Sequence, residues 1–96
     1  MTENHLQGAV IDLCRLLGVA WYHAYSSRRC VPGWPDLALC GSRGFILREL
    51  KAARGTLTLE QDEWGLMLRN AGVSWDVWRP ADLLSGRIES ELRAIR

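Results

Sequence analysis

Lysine is almost missing from this chain: of its twelve basic residues eleven are arginine, and Lys51 stands alone. Cysteine is sparse as well. Cys14, Cys30 and Cys40 are odd in number and include no C-x-x-C pair, which excludes a disulfide framework and a zinc site and predicts a reducing, cytoplasmic setting. No apolar run approaches the roughly 20 residues that a membrane span requires. The opening MTENHLQG has polar and acidic residues where a secretory leader needs basic and then apolar ones, so neither secretion nor membrane insertion is expected. Repeats and low-complexity segments are absent. Neither sign of charge dominates, with a net charge of +1, so no overall field announces a nucleic-acid partner. At 96 residues the chain has room for one hydrophobic core, a single domain over 1–96, and no added recognition domain. A domain this size hides about two-thirds of its unfolded surface on folding, so it stands alone yet gains readily from a second copy.

What is present is unevenly placed. Arg28, Arg29, Arg43, Arg48, Lys51 and Arg54 give a basic central third, whereas acids gather between Glu60 and Glu63 and after Asp82. Leu6, Val10, Leu13, Cys14 and Leu17 recur at helical spacing between a capping Thr2 and a terminating Gly18, predicting a helix over about 3–17. Val19 to Tyr25 is β-branched and aromatic and reads as a strand before the polar loop SSRRCVPGWP. Leu37 to Cys40 and Phe45 to Leu50 read as two more strands joined through Gly41-Ser42-Arg43-Gly44. Thr58-x-x-Gln61 forms a capping box opening a helix over about 59–71, with Trp64, Met67, Leu68 and Ala71 on one face. A strand over Val73 to Trp78 precedes a last helix entered at Pro80, with Leu84, Ile88, Leu92 and Ile95 on its inner side. The order is α-β-β-β-α-β-α, and the fold class is α/β.

The chemistry concentrates on the hairpin. Successive strand residues point to opposite faces, so Glu49 and Lys51 share one. With the turn centred between Ser42 and Arg43, Asp36 falls opposite Glu49, and directly opposed residues have Cβ atoms about 4.5–5.5 Å apart. A slip of one residue would send Asp36 to the other side. Two carboxylates so close repel, and one takes up a proton unless a cation lies between them. Oxygen ligands suit Mg²⁺ or Mn²⁺, which polarise a phosphoryl oxygen and lower the pKa of a bound water. Lys51 beside them would orient that water or meet charge developing on the phosphate. A compact ammonium fits among such ligands where a planar guanidinium does not, which gives the single lysine a reason for its position.

Pro35-Asp36 followed by Glu49-Leu50-Lys51 resembles the PD-(D/E)xK nuclease signature. The likeness extends to Gly33-Trp34-Pro35-Asp36-Leu37, Arg48-Glu49-Leu50-Lys51, Gly55-x-Leu57-Thr58-x-x-Gln61 and Trp78-x-Pro80, a series similar to the small phage and bacterial VRR-NUC domains over nearly the whole chain. That resemblance implies a restriction-endonuclease-like core, a central mixed sheet flanked by helices. It implies that Asp36 and Glu49 hold the metal, that a backbone carbonyl near Leu50 joins them, and that Lys51 is catalytic. It also implies a setting in a bacterial cell or a phage-infected host. Small stand-alone members resemble Holliday junction resolvases and act as homodimers on branched DNA.

The family pattern has an acid on the first helix, for which Glu3 is the candidate; it shares a stripe with Gln7, Val10 and Cys14. An acid in a first turn also suits the helix dipole, so both roles stand. Gln61 matches a glutamine that lines the centre in many such nucleases, and its other role is the capping box. Ser27, Arg28 and Arg29 in the loop before Asp36, with Arg54 after Lys51, are candidates for phosphate contacts. His23 and His5 are read as ordinary strand and helix residues. Of five tryptophans, Trp21, Trp64, Trp75 and Trp78 are expected in the core, leaving Trp34 beside Asp36 as the one ring placed to meet DNA, and even for it packing under the loop is the expected role. The expected activity is a metal-dependent, structure-selective DNA endonuclease. Two alternatives remain: a flap, nick or single-strand cutter using the same residues, and a non-cutting DNA-binding module.

Overall fold

The computed structural model describes residues 1–24 and 30–96. Helix α1, Glu3–Leu17, starts where the Thr2 hydroxyl accepts the His5 amide at 3.1 Å and ends at Gly18, whose φ of 74° is one that glycine adopts without strain. It buries Leu6, Val10, Cys14 and Leu17, as its periodicity predicts. Strand β1, Ala20–His23, lies within the expected 19–25, and the Ala24 amide, donating to the carbonyl of Asp36 at 3.1 Å, carries its antiparallel register with β2 one pair further; Tyr25 lies outside the described residues. Strands β2, Leu37–Gly41, and β3, Gly44–Leu50, form the expected hairpin. Helix α2, Leu59–Asn70, leads to β4, Ser74–Trp78, and then to α3, Pro80–Leu84, and α4, Arg87–Ile95.

The sheet runs β1-β2-β3-β4, antiparallel except for the parallel β3–β4 pair, which needs a crossover and receives α2. In the hairpin Leu37 faces Arg48 and Gly41 faces Gly44, which is the register expected for a turn centred between Ser42 and Arg43. That turn rests on the end of α4. The Arg43 amide donates to the Ile95 carbonyl at 2.9 Å and the Ser42 hydroxyl to the Arg96 carbonyl at 2.7 Å.

The two faces of the sheet differ in cover. Leu37, Leu39, Ile46, Leu50 and Trp78 pack with α1 and α4 in a continuous core with Ile88, Leu92 and Ile95. Leu47, Glu49, Trp75 and Val77 have the opposite parity and face α2. Burial pushes the Cys14 thiol, inside the first layer, up to about 11, which leaves it unreactive near neutral pH.

Several expectations are corrected. The last helical stretch is two helices rather than one, divided at Ser85 and Gly86, where φ is 84°. Leu84, expected on the inner side, is 81% exposed, and Leu83 packs against the core instead. In α2 half of the expected face packs: Trp64 and Leu68 are half-buried, whereas Met67 and Ala71 are exposed, and the fully buried residue is Gly65, set against the Trp75 ring. Trp21, expected in the core, is 37% exposed, with Arg15 stacked on its ring. Arg48, counted in the basic central third, is 5% exposed and bonds Glu91 at 2.7 Å, Ser74 and the Leu47 carbonyl, so it offers nothing to a phosphate. Among the described residues, no helix is long and apolar enough to cross a membrane.

One substitution made at two glycines should have opposite effects. A Cβ at Gly65 would stand 2.5 Å from the Trp75 ring, whereas one at Gly8 meets nothing within 4 Å. Gly65→Ala is expected to lower stability by about 1–3 kcal/mol through overpacking, and Gly8→Ala to raise it by about 0.5–1 kcal/mol. Urea denaturation of the two variants measures both signs.

Candidate active site

Four elements converge on the α2 face. Asp36 precedes β2 by one residue and continues its register, which sets it opposite Glu49. Its position is fixed twice, by the Leu50 amide donating to Oδ2 at 2.8 Å and by the Ala24 amide donating to its carbonyl at 3.1 Å. Glu49 sits next to the end of β3 with Leu50 and Lys51 following, and the Lys51 amide continues the parallel pairing by donating to the Trp78 carbonyl at 3.1 Å. Gln61 arrives from the first turn of α2. Its Oε1 accepts the Thr58 amide at 2.9 Å and its Nε2 donates to Glu49 Oε2 at 3.1 Å, so the same side chain caps the helix and touches the carboxylate.

Glu49 is 2% exposed. Burial, first of all, and then hydrogen bonding and repulsion from Asp36 push its carboxyl from an ordinary 4.5 up to about 9; Lys51 pulls it down, and Glu3 pushes it further up. Its Oε1 is buried and, among the described residues, has no hydrogen-bond donor. Such an atom is costly unless satisfied. A proton, which lets the carboxyl donate to Asp36, is one way to satisfy it, and a cation bridging the two carboxylates is the other. The donor set thus fits a hard divalent ion. Among the described residues, no three or more His, Cys, Asp or Glu side chains are grouped to hold a metal, so the remaining ligands would be backbone oxygen, water or substrate phosphate.

The remaining candidates divide by position. Glu3 lies exposed in the first turn of α1, close enough for its charge to act on Glu49. Arg54 is exposed in the loop after Lys51. Ser27, Arg28 and Arg29 lie outside the described residues. Trp34 packs edge-to-face on Trp64, centroids 5.1 Å apart. Sequence reasoning passed over Arg79, whose Nη1 donates to the carbonyls of Ala52 at 2.9 Å and Gly55 at 2.6 Å and so ties down the loop that follows Lys51. Its place between β4 and Pro80 gives no sequence signal of that reach. It also passed over the burial of Arg48, although parity with Ile46 and Leu50 puts that residue on the core face.

No protein-family model matches the chain, and no curated protein matches it. Among solved structures, one described as a VRR_NUC domain protein matches with a TM-score of 0.72 and 19% sequence identity, covering 98% of this chain and 90% of that one. At that identity the likeness is one of fold. The four-stranded mixed sheet flanked by helices, expected from the motif series, is the architecture observed.

The shifted carboxyl gives a pH prediction for metal-free protein. Because Glu49 holds its proton more tightly folded than unfolded, its contribution to stability is complete below about 4.5 and is lost as pH rises toward about 9. Glu49→Gln keeps the neutral form and should remove that loss. It is expected to melt several degrees above the parent at pH 8, since about 1 kcal/mol moves the midpoint of a domain this small by roughly 4–8 °C. Adding Mg²⁺ or Mn²⁺ should raise the midpoint of the parent only. Thermal melts from pH 5 to 9, with and without metal, measure both effects.

Proposed function

We propose that this protein is a divalent-metal-dependent DNA endonuclease, structure-selective and acting as a homodimer in the manner of Holliday junction resolvases. The observation that carries the reading is the buried Glu49 set opposite the half-buried Asp36, with the buried Lys51 beside them, in which Glu49 Oε1 has no donor among the described residues. The fold shared with a VRR_NUC domain protein supports it.

In this reading Asp36, Glu49 and the Leu50 carbonyl hold Mg²⁺ or Mn²⁺, with Glu3 adding negative charge from α1. The ion supplies a Lewis acid for the phosphoryl oxygen and a water of lowered pKa. The chain's own residues do the rest. Asp36 is kept in place by two backbone amides, and Gln61 holds one oxygen of Glu49 so that the other faces its neighbour. The Lys51 ammonium meets the negative charge that builds on the phosphate as water attacks phosphorus and the sugar oxygen leaves. Sheltered from water, that contact is stronger than it would be at the surface. Arg54, with Ser27, Arg28 and Arg29, would contact neighbouring phosphates and position the strand.

The homodimer is supported by the uncovered part of the α2 face. Since α2 lies along β4, the β1–β2–β3 side stays open, with Tyr22 68% and Phe45 52% exposed around a hollow of about 180 Å³ bordered by Ala38 and Cys40. A second copy seated here would cover both rings, and two active centres are what a four-way junction requires.

One preparation offered four-way junctions, flaps, nicked and single strands and linear duplex, with Mg²⁺ or Mn²⁺, tests the activity. Junction cleavage is expected, and Lys51→Ala should slow it by about 10²–10³-fold. Preference for a flap, nick or single strand would shift the reading to another cutter using the same residues. Cleavage that persists in Lys51→Ala would overturn the mechanism, and absence of cutting with retained binding would favour a non-cutting module.

Light scattering should give a dimer at micromolar concentration, and Phe45→Glu should convert it to monomer with the fold intact by circular dichroism. Monomer alone, with DNA present, would remove the resolvase reading.

A further inference from the structure

A hollow of about 470 Å³ opens between the loop before β2 and the first turn of α2, and its wall includes Pro32, Gly33, Trp34, Asp36, Glu60 and Gln61. Its volume lies within the roughly 300–1,000 Å³ typical of small-ligand sites. Two of its residues belong to the active centre: Asp36 opposes Glu49, and Gln61 bonds it. Whatever enters is therefore beside the phosphate being cut.

The lining selects the ligand class. Among the described residues the charged groups along it are the carboxylates Asp36 and Glu60, neither of which draws a phosphate into it. An aromatic ring is available instead. Trp34 remains 38% exposed while its edge-to-face contact with Trp64 braces it. The loop that carries it cannot retreat, because the backbone of Gly33 lies so close to that of Glu60 that an added Cβ would stand 2.4 Å away, and Pro35 is buried beneath it. A flat, uncharged ring fits these walls, and stacking on an exposed aromatic needs a base already free of its partner.

We propose that this hollow holds one unpaired nucleobase of the strand being cut, stacked on Trp34 next to the Asp36–Glu49 pair. The inference takes its substrate from the nuclease reading. It adds a reason for selecting branched or frayed DNA, since a base in unbroken duplex must be unpaired and unstacked before it can enter.

The test measures binding separately from cutting. Lys51→Ala protein is titrated by fluorescence anisotropy with labelled four-way junctions in which an abasic site is moved, one nucleotide at a time, along the arms next to the branch point. At one position the abasic site should weaken binding about tenfold, the scale of one lost base–aromatic stack. Adding Trp34→Ala should abolish that difference, and Trp34→Phe should restore it. Abasic sites tolerated at every position would overturn the proposal, as would a penalty that survives Trp34→Ala. The unmodified protein is assayed in parallel. Cutting without any abasic penalty removes the hollow's role alone, whereas an abasic penalty without cutting removes the nuclease reading and leaves the base site standing. Absence of binding removes both.

Discussion

The turn from Gly41 to Gly44 decides which side of the sheet every charged group of the hairpin faces, and α4 holds that turn. A Cβ at Gly41 would stand 2.0 Å from the Ile95 carbonyl oxygen, so the turn backbone and the helix end are in direct contact, pinned further by the Arg43 amide and the Ser42 hydroxyl. Strand parity has a period of two, so moving the register by one residue would exchange the two faces. Asp36 would then leave Glu49 and turn toward the apolar layer formed with α1 and α4. The site depends on a contact at the opposite end of the hairpin.

With the register fixed, the sheet divides its work. The face under α1 and α4 is apolar in its centre and polar toward β4, where Arg48, Ser74 and Asp76 lie and Asp76 pairs with Arg87 of α4; the Arg48 guanidinium is satisfied by Glu91, Ser74 and a carbonyl while lying over the Trp78 ring. The other face carries the carboxylates and is covered by α2 along β4, where the contact residue is a glycine. A desolvated carboxylate beside a second one destabilises the fold, and the large shift on Glu49 expresses that cost. Functional groups held against their preferred protonation are common at catalytic centres, where the ligand relieves the strain. In this chain the covalent framework that bears the cost is short: one hairpin, one capped helix turn and the loop clasped by Arg79.

The hairpin was legible in the sequence because two local signals agree there, a four-residue glycine-flanked turn and the alternation along Phe45 to Leu50. Helix α1 was legible for the same reason, its periodicity being bounded by Thr2 and Gly18. The break at Gly86 was not, since Leu84, Ile88, Leu92 and Ile95 keep helical spacing across it and mimic one uninterrupted face. Packing of α2 was hidden by a different cause. Hydrophobic periodicity finds the most apolar side of a helix, but close approach to the Trp75 ring selects the smallest side chain, and Gly65 contributes no hydrophobic signal. Of the site, Asp36, Glu49 and Lys51 follow from parity and register alone. The Arg79 clasp joins positions 24 and 27 residues apart, which no local pattern reports. The motif series indicated the fold that the solved-structure comparison finds, whereas a substrate preference is set by surfaces that no motif encodes.

Gln61 shows why fold and site are hard to separate in so small a chain. Its position asks for an acceptor toward the Thr58 amide, which completes the capping box, and for a donor toward Glu49. Glutamate would serve the cap equally well but, ionised, has no donor and would set a third anion against the pair. A hydroxyl is too short to span both partners. The primary amide has an acceptor and a donor on one planar group, so a single residue starts α2, aims it at the sheet and holds one oxygen of Glu49 while leaving the other without a donor among the described residues. The identity of residue 61 is therefore dictated jointly by the helix and by the carboxylate it faces, and neither requirement alone would select glutamine.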